Sequence, residues 1–477
     1  MTSKYSEFSR EQLLARIDEL ETRVNSPMAE EELVHKPTQS KKKERIESKK
    51  RPFDMSKYTT RKIALRVAYI GWEYCGYATQ NQPDRLPTIE DMLFKALLSC
   101  RLVESIESSD YTRCGRTDKG VSGLGQVIGI NVRSKKLATD TDPELLPAEK
   151  EFPYIDTMNR MLPDDIRVLA WAPAPEDFSA RFHCTARTYK YFFNKGKMNI
   201  DHMRAACSYF EGKHDFRNFC KMDPAKNVLS YERHILSMKI EPVQHTTTDT
   251  VGEGTDFYEV QLKGTAFLWH QVRFMMSVLF LVGQGLEPAE TVRDLLDIEK
   301  VPSKPDFPMS SDLPLVLYDC EFKGLVWTYS FNDVVYDPLP ASYRTYLHLH
   351  EIWTGQMIRA ITYQNFLCKV GDYPVLMSDN TTKTVLDFVK DRGVISPTGM
   401  ATVPRGGGKE SRLGKYKSVM DRPRCDSDEL KKEKFEVRKK RKIERQEILA
   451  SGGELPPSRE WKSWRQRNAD NNANSSS

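Results

Sequence analysis

The sequence predicts an α+β body of two similar-sized lobes, flanked by polar, basic tails. Three observations lead there. Strand-like and helix-like segments mix in both halves of the region from Arg61 to about Pro340, as they do when helices cover one side of a sheet. The 477 residues, 39% hydrophobic and 29% charged, allow a sizeable core but carry strongly polar extensions. The net charge is only +5, yet basic runs lie at residues 41–51 and 431–445, outside the most apolar part of the chain. Such runs attract a polyanion or an import receptor, or are simply solvated tails.

In chain order, Ser9 and Gln12 have capping-box spacing, and Leu13, Ile17, Leu20 and Val24 form a short heptad-like stripe behind them. A basic linker leads to about Pro52. Ile63, Leu65, Val67 and Tyr69 alternate as in a half-buried strand. Thr88 and Asp91 are spaced to cap a helix whose buried face is Ile89, Met92, Leu93, Ala96 and Leu97. A loop over 112–125 enters a strand at 126–132, and the charged, proline-containing stretch 133–153 reads as a surface insertion. Residues 187–193 have strand composition and 201–210 helical composition. Two strands at 234–243 and 257–262 are joined by a polar hairpin tip. Residues 267–282 are the strongest core helix, with Gly283 and Gly285 placed to end it. From about Gly399 the composition is that of a disordered tail. The resulting divisions are 1–57 (short helix and basic linker), 58–200 (amino-terminal lobe), 201–326 (carboxy-terminal lobe), 327–398 (extension) and 399–477 (disordered basic tail).

The nine cysteines include no CxxC pair, and the nine histidines are dispersed. The spacing predicts neither a zinc site nor a disulfide framework, so no metal or cofactor is expected. Reduced thiols suit a nuclear or cytoplasmic location. The longest apolar stretch, 274–282, is far short of the roughly 20 residues that span a bilayer, and MTSKYSEFSR lacks the apolar core of a secretory signal. No membrane association is expected.

The most unusual segment is RCGRTDKG, residues 113–120. Arg116 and Asp118, two apart in an extended loop, point to the same side. An arginine beside a carboxylate keeps it ionised, and Lys119 adds positive potential suited to a phosphate-bearing substrate. The competing reading is a surface turn with a structural ion pair. In ARFHCTARTYKY, Arg181 and Arg187 interleave with Phe182, Tyr189 and Tyr191. That combination suits phosphates and unpaired bases, and suits equally a core strand. In FLWHQVR, Arg273 enters an apolar helix and needs an anionic partner.

GRTDKGVS, ARFHCTARTYKY and GTAFLWHQVRFMMSVLFLVGQG, in this order and spacing, resemble the three signature segments of the TruA family of tRNA pseudouridine synthases, over roughly Tyr58 to Phe322. KHDFRNFCK, PLVLYDCEF, LLARIDELE and KYKSVMDRPRCDS are similar to the eukaryotic branch acting on uridines 38 and 39 of the anticodon arm. The resemblance implies two ferredoxin-like lobes forming a continuous antiparallel sheet with a central catalytic cleft. It implies tRNA as partner and a homodimer, as in the bacterial members.

Carried over by motif, Asp118 is the catalytic aspartate and Tyr189 the ring that stacks on the target base and is placed for proton chemistry. Arg273 is the arginine pairing with the aspartate, and Arg116 the one implicated in displacing or replacing the flipped nucleotide. Arg113, Lys119, Arg181 and Arg187 complete the expected RNA-binding set. Trp269 stands where bacterial members usually have histidine, and no RNA contact is assigned to it. The alternatives are a synthase of this type acting at other RNA sites, a non-catalytic tRNA-binding protein, or a basic scaffold working through its tails.

Overall fold

A computed structural model describes residues 53–80, 86–142, 144–196, 198–225, 230–243, 257–329, 341–387 and 416–451. The expected amino-terminal helix, the hairpin tip and the Asn/Ser-rich end lie outside the described residues.

Strand β1 (Tyr58–Tyr69) carries Ile63, Ala64 and Leu65 in succession and Val67 beyond them, all fully buried, because both of its faces are covered. Helix α1 (Ile89–Ser99) starts where Thr88 and Asp91 predict. The Thr88 N–H donates to Asp91 Oδ2 at 2.8 Å, and the Asp91 N–H donates back to Thr88 Oγ1 at 3.3 Å. Ile89, Leu93 and Leu97 then pack with the β1 side chains. A short β2 (Thr112–Arg113) precedes β3 (Ser122–Leu137), and α2 (Tyr154–Asn159) precedes β4 (Ile166–Pro173).

The stretch 133–153 departs from expectation. Its first residues continue β3, and Ser134, Lys136 and Glu151 are buried. Glu151 accepts hydrogen bonds from Arg61 at 3.1 Å and from Ser134 at 2.6 Å. Charge composition misleads here because the charged groups neutralise one another inside the fold.

The second half comprises β5 (Cys184–Asn194), α3 (Ile200–Ser208), β6 (Gly212–Asp215), β7 (Glu232–Pro242), β8 (Phe257–Gly264), α4 (Gln271–Gly283), α5 (Glu290–Leu296) and β9 (Leu315–Phe322). One nine-stranded sheet runs β4-β1-β3-β9-β5-β8-β7-β6, with β2 also on β3. All its pairs are antiparallel except β3 with β9, which run parallel at Ser122–Val316 and Gly123–Leu317. The expectation of a wholly antiparallel sheet is therefore corrected at that join. Gly125 permits it, since a Cβ there would meet the Asp319 Cα at 2.6 Å.

Tyr191 and Phe193 of β5 pack with Met275, Leu279 and Phe280 of α4. Strand β5 thus shares a core with α4. Helix α4 begins at Gln271 rather than Phe267, because His270 has a left-handed backbone (φ 62°) that breaks the helix.

Beyond the sheet come α6 (Ala341–Gly371), a small hairpin of β10 (Pro374–Leu376) and β11 (Thr382–Thr384), and α7 (Asp428–Ala450). Helix α7 takes in the basic run that composition assigned to a disordered tail. It has no glycine or proline between its ends, and Lys, Arg and Glu are good helix formers. The preceding segment docks on buried Glu287, which accepts from Tyr416, Ser418 and the Val419 N–H. All these elements lie in the unit 55–477. No described helix is long and apolar enough to cross a membrane.

Candidate active site

The loop between β2 and β3 is held almost wholly through its backbone. Buried Gln126 clamps Gly115 from both sides, accepting from its N–H at 3.3 Å and donating to its carbonyl at 2.9 Å. Thr117 meets Tyr69 through its hydroxyl at 2.9 Å, and its carbonyl accepts from the Tyr77 N–H at 3.1 Å. Gly76, at φ +89°, lets its own strand of backbone lie against Thr117 and Asp118, where a Cβ would stand 3.1 Å from the Thr117 oxygen. With the backbone fixed this way, the Asp118 side chain projects, only 23% exposed.

The segment 267–270, ahead of α4, supplies the groups around it. Trp269 Nε1–H donates to Asp118 Oδ1 at 3.2 Å, and His270 Nε2 lies 3.4 Å from Asp118 Oδ2. The other ring nitrogen of His270 is buried with no hydrogen-bond partner. Phe267 meets the Tyr189 ring edge-on, with centroids 5.0 Å apart. One short segment therefore touches both Asp118 and Tyr189. Burial drives the Tyr189 hydroxyl well above its ordinary pKa, so it stays protonated at neutral pH. The Lys221 ammonium lies 4.7 Å from the centre of the Trp269 ring.

Arg273 is buried, but its Nε–H donates to the Ser310 carbonyl at 2.8 Å, and its guanidinium stands 4.0 Å from Asp312. The expected direct pair with Asp118 is not formed: the guanidinium is turned to the 310–312 segment instead, and the Asp118 oxygens meet Trp269 and His270. Arg273 reaches the loop only indirectly, since Asp312 sits against Gly120, where a Cβ would be 2.8 Å from its carboxylate.

Two further arginines are committed to the fold. Arg113 pairs with Glu90, a carboxylate that also accepts from the Tyr111 hydroxyl and the Thr79 N–H. Burial raises the Glu90 pKa, and the cation offsets that cost. Arg187 donates to the carbonyls of Thr265, Cys114 and Arg181 at 2.7, 3.1 and 3.2 Å. Arg116, Lys119 and Arg181 are exposed, and Arg181 lies beside Phe182, itself 78% exposed. That rim retains the combination of cation and ring read from the sequence.

The sequence reading missed Gln126, Phe267 and His270 and left Trp269 without a role. The one available signal was that FLWH mixes aromatic and polar residues ahead of a purely apolar run.

Residues 206–323 match the family model of tRNA pseudouridine synthases. The chain is 46% identical over 336 residues to the tRNA pseudouridine(38/39) synthase of Saccharomyces cerevisiae, covering 68% of this chain and 73% of that one. It is 38% identical over 437 residues to the Homo sapiens protein of the same name, covering 89% and 87%. The tRNA pseudouridine synthase A of Methanosarcina mazei is 34% identical over 237 residues, covering 50% and 76%. Identity of this extent, over most of both chains, means a shared fold inherited whole, and the chain belongs to the TruA family of tRNA pseudouridine synthases, which are isomerases.

Proposed function

We propose that this chain isomerises uridine to pseudouridine at positions 38 and 39 of the tRNA anticodon arm, with Asp118 as its catalytic group. The observation that carries the reading is the Asp118 carboxylate itself, set on a backbone-clamped loop with a donor on Oδ1 and an imidazole beside Oδ2. The reaction breaks the C1′–N1 glycosidic bond, turns the uracil and forms a C1′–C5 bond. The C5 proton is lost and N1 gains one, so there is no net redox change. A fixed carboxylate serves this chemistry by attacking sugar or base, or by taking the C2′ proton.

Tyr189 supplies the ring against which the freed base stacks and a hydroxyl for proton transfer. The target leaves its stack at a cost of a few kcal/mol, which Arg116, Lys119 and the Arg181–Phe182 rim offset by phosphate and stacking contacts. In this reading β1–β4 with α1 and α2 form one ferredoxin-like lobe, β5–β9 with α3 and α4 the other, and the cleft lies between them. The chain acts as a homodimer in nucleus and cytoplasm. The apolar side chains exposed along α6, among them Ile358, Ile361, Phe366 and Leu367, support self-association.

The test is pseudouridine mapping on an unmodified tRNA transcript incubated with the pure protein, beside Asp118→Ala. Product at 38 or 39 with wild type alone supports the reading. A folded wild type that binds tRNA and leaves every uridine unchanged refutes it.

A further inference from the structure

Cys114, Cys184 and Cys320 are far apart in the chain, and the fold brings them together. Cys114 follows β2 at the entry to the Asp118 loop, Cys184 opens β5, and Cys320 lies on β9. Their three sulfurs lie within 4.8 Å of one another. Val127, Phe178, Ala180 and Leu317 wall the group, Cys114 and Cys320 are buried, and Cys184 is half-buried.

Thiolates bound to zinc at about 2.3 Å in tetrahedral geometry stand about 3.8 Å apart. The trio therefore needs at most about 1 Å of contraction to offer three corners of a tetrahedron. Charge selects the ion. The Arg187 guanidinium, hydrogen-bonded to the Cys114 carbonyl at 3.1 Å, acts on all three sulfurs. Three thiolates around a divalent cation leave one net negative charge, which that guanidinium balances. A monovalent soft ion would leave the site negative and buried, which is costly.

We propose that Cys114, Cys184 and Cys320 form a three-thiolate site for a divalent ion of the zinc class, with the fourth position filled by water on the half-open Cys184 side. On binding, three S–H bonds give way to three metal–sulfur bonds and the protons pass to solvent. No electron is transferred. The ion ties the entry of the Asp118 loop to β5, which carries Tyr189, and to β9 at the sheet join. It is a structural staple for the site and takes no part in bond-making.

The experiment uses the full-length protein, stripped with chelator under reducing conditions and titrated with Co(II). The expected result is one cobalt per chain, with sulfur-to-cobalt charge-transfer absorption in the near ultraviolet and intense tetrahedral bands in the visible. Zn(II) displaces both and raises Tm. Cys184→Ser and Cys320→Ser lose the absorption and the Tm response, whereas Cys368→Ser, exposed on α6, keeps them. X-ray absorption on the zinc-loaded wild type counts three sulfur neighbours, which decides the matter even where a variant folds poorly. Absence of stoichiometric uptake, a sulfur count other than three, or uptake unchanged in folded Cys184→Ser overturns the proposal.

Discussion

The indole N–H of Trp269 donates to Asp118 Oδ1 at 3.2 Å, so a carboxylate in the β2–β3 loop takes its orientation from a residue of the segment between β8 and α4, 151 positions away. A hydrogen bond to an ionised group contributes about 1.5–3 kcal/mol. Trp269→Phe keeps a ring beside Lys221 and removes the donor. Single-turnover rates of pseudouridine formation are expected to fall by about tenfold or more, with tRNA affinity changing little. A rate equal to wild type would mean that the contact does not orient Asp118.

Arg187 and Arg181 separate structure from binding. Arg187→Ala leaves the carbonyls of Thr265, Cys114 and Arg181 without their donor and is expected to destabilise the protein by about 2–3 kcal/mol, read as a lower urea midpoint. Arg181→Ala is expected to leave stability within about 0.5 kcal/mol. It should weaken tRNA binding and reduce the slope of log affinity against log salt by about one. Equal effects of the two substitutions on stability would contradict this division.

Gly120 has φ +80°, and a Cβ there meets the Asp312 carboxylate. Gly120→Ala is expected to cost about 1–2 kcal/mol from backbone strain alone. Asp312→Ala, which makes room, should recover only the steric part. Thermal unfolding of the two single variants and the double variant measures the coupling. Strict additivity would show that Asp312 does not press on the loop.

Lys304 lies with its ammonium 3.2 Å from the centre of the Phe274 ring, and burial pushes its pKa down to about 8. Cys425, Cys220, Lys431 and Asp306 act on it more weakly. The unfolded chain holds this proton up to about pH 10.4. Between about 8 and 10.4 the unfolded state therefore binds more protons, and this group's contribution to stability rises with pH. Lys304→Met is expected to remove that rise. The check is the wild-type minus variant difference in urea midpoint at pH 7.5 and pH 10, since other groups titrate equally in both proteins.

The capping box at Thr88 and Asp91, the strands around Ile63 and Tyr191, the core of α4 and the singular RCGRTDKG segment were legible from residue order, because each depends on neighbours within a few positions. The start of α4 was not. The apolar run 267–282 hides the left-handed turn at His270, a backbone state that composition does not encode.

The sequence alone determined family and mixed architecture, both of which rest on local pattern and on an ordered set of motifs. Tertiary structure decided what the charged and sulfur-bearing side chains do. Arg113, Arg187 and Arg273 look alike as cations in a motif, yet one neutralises Glu90, one caps three carbonyls and one holds the 310–312 segment. Cys114, Cys184 and Cys320 show no metal-binding spacing and still converge to within 4.8 Å. The reason is physical: the partner of a buried polar group is whatever the fold brings within about 3–4 Å, and sequence separation carries no information about that distance once strands from opposite halves pair.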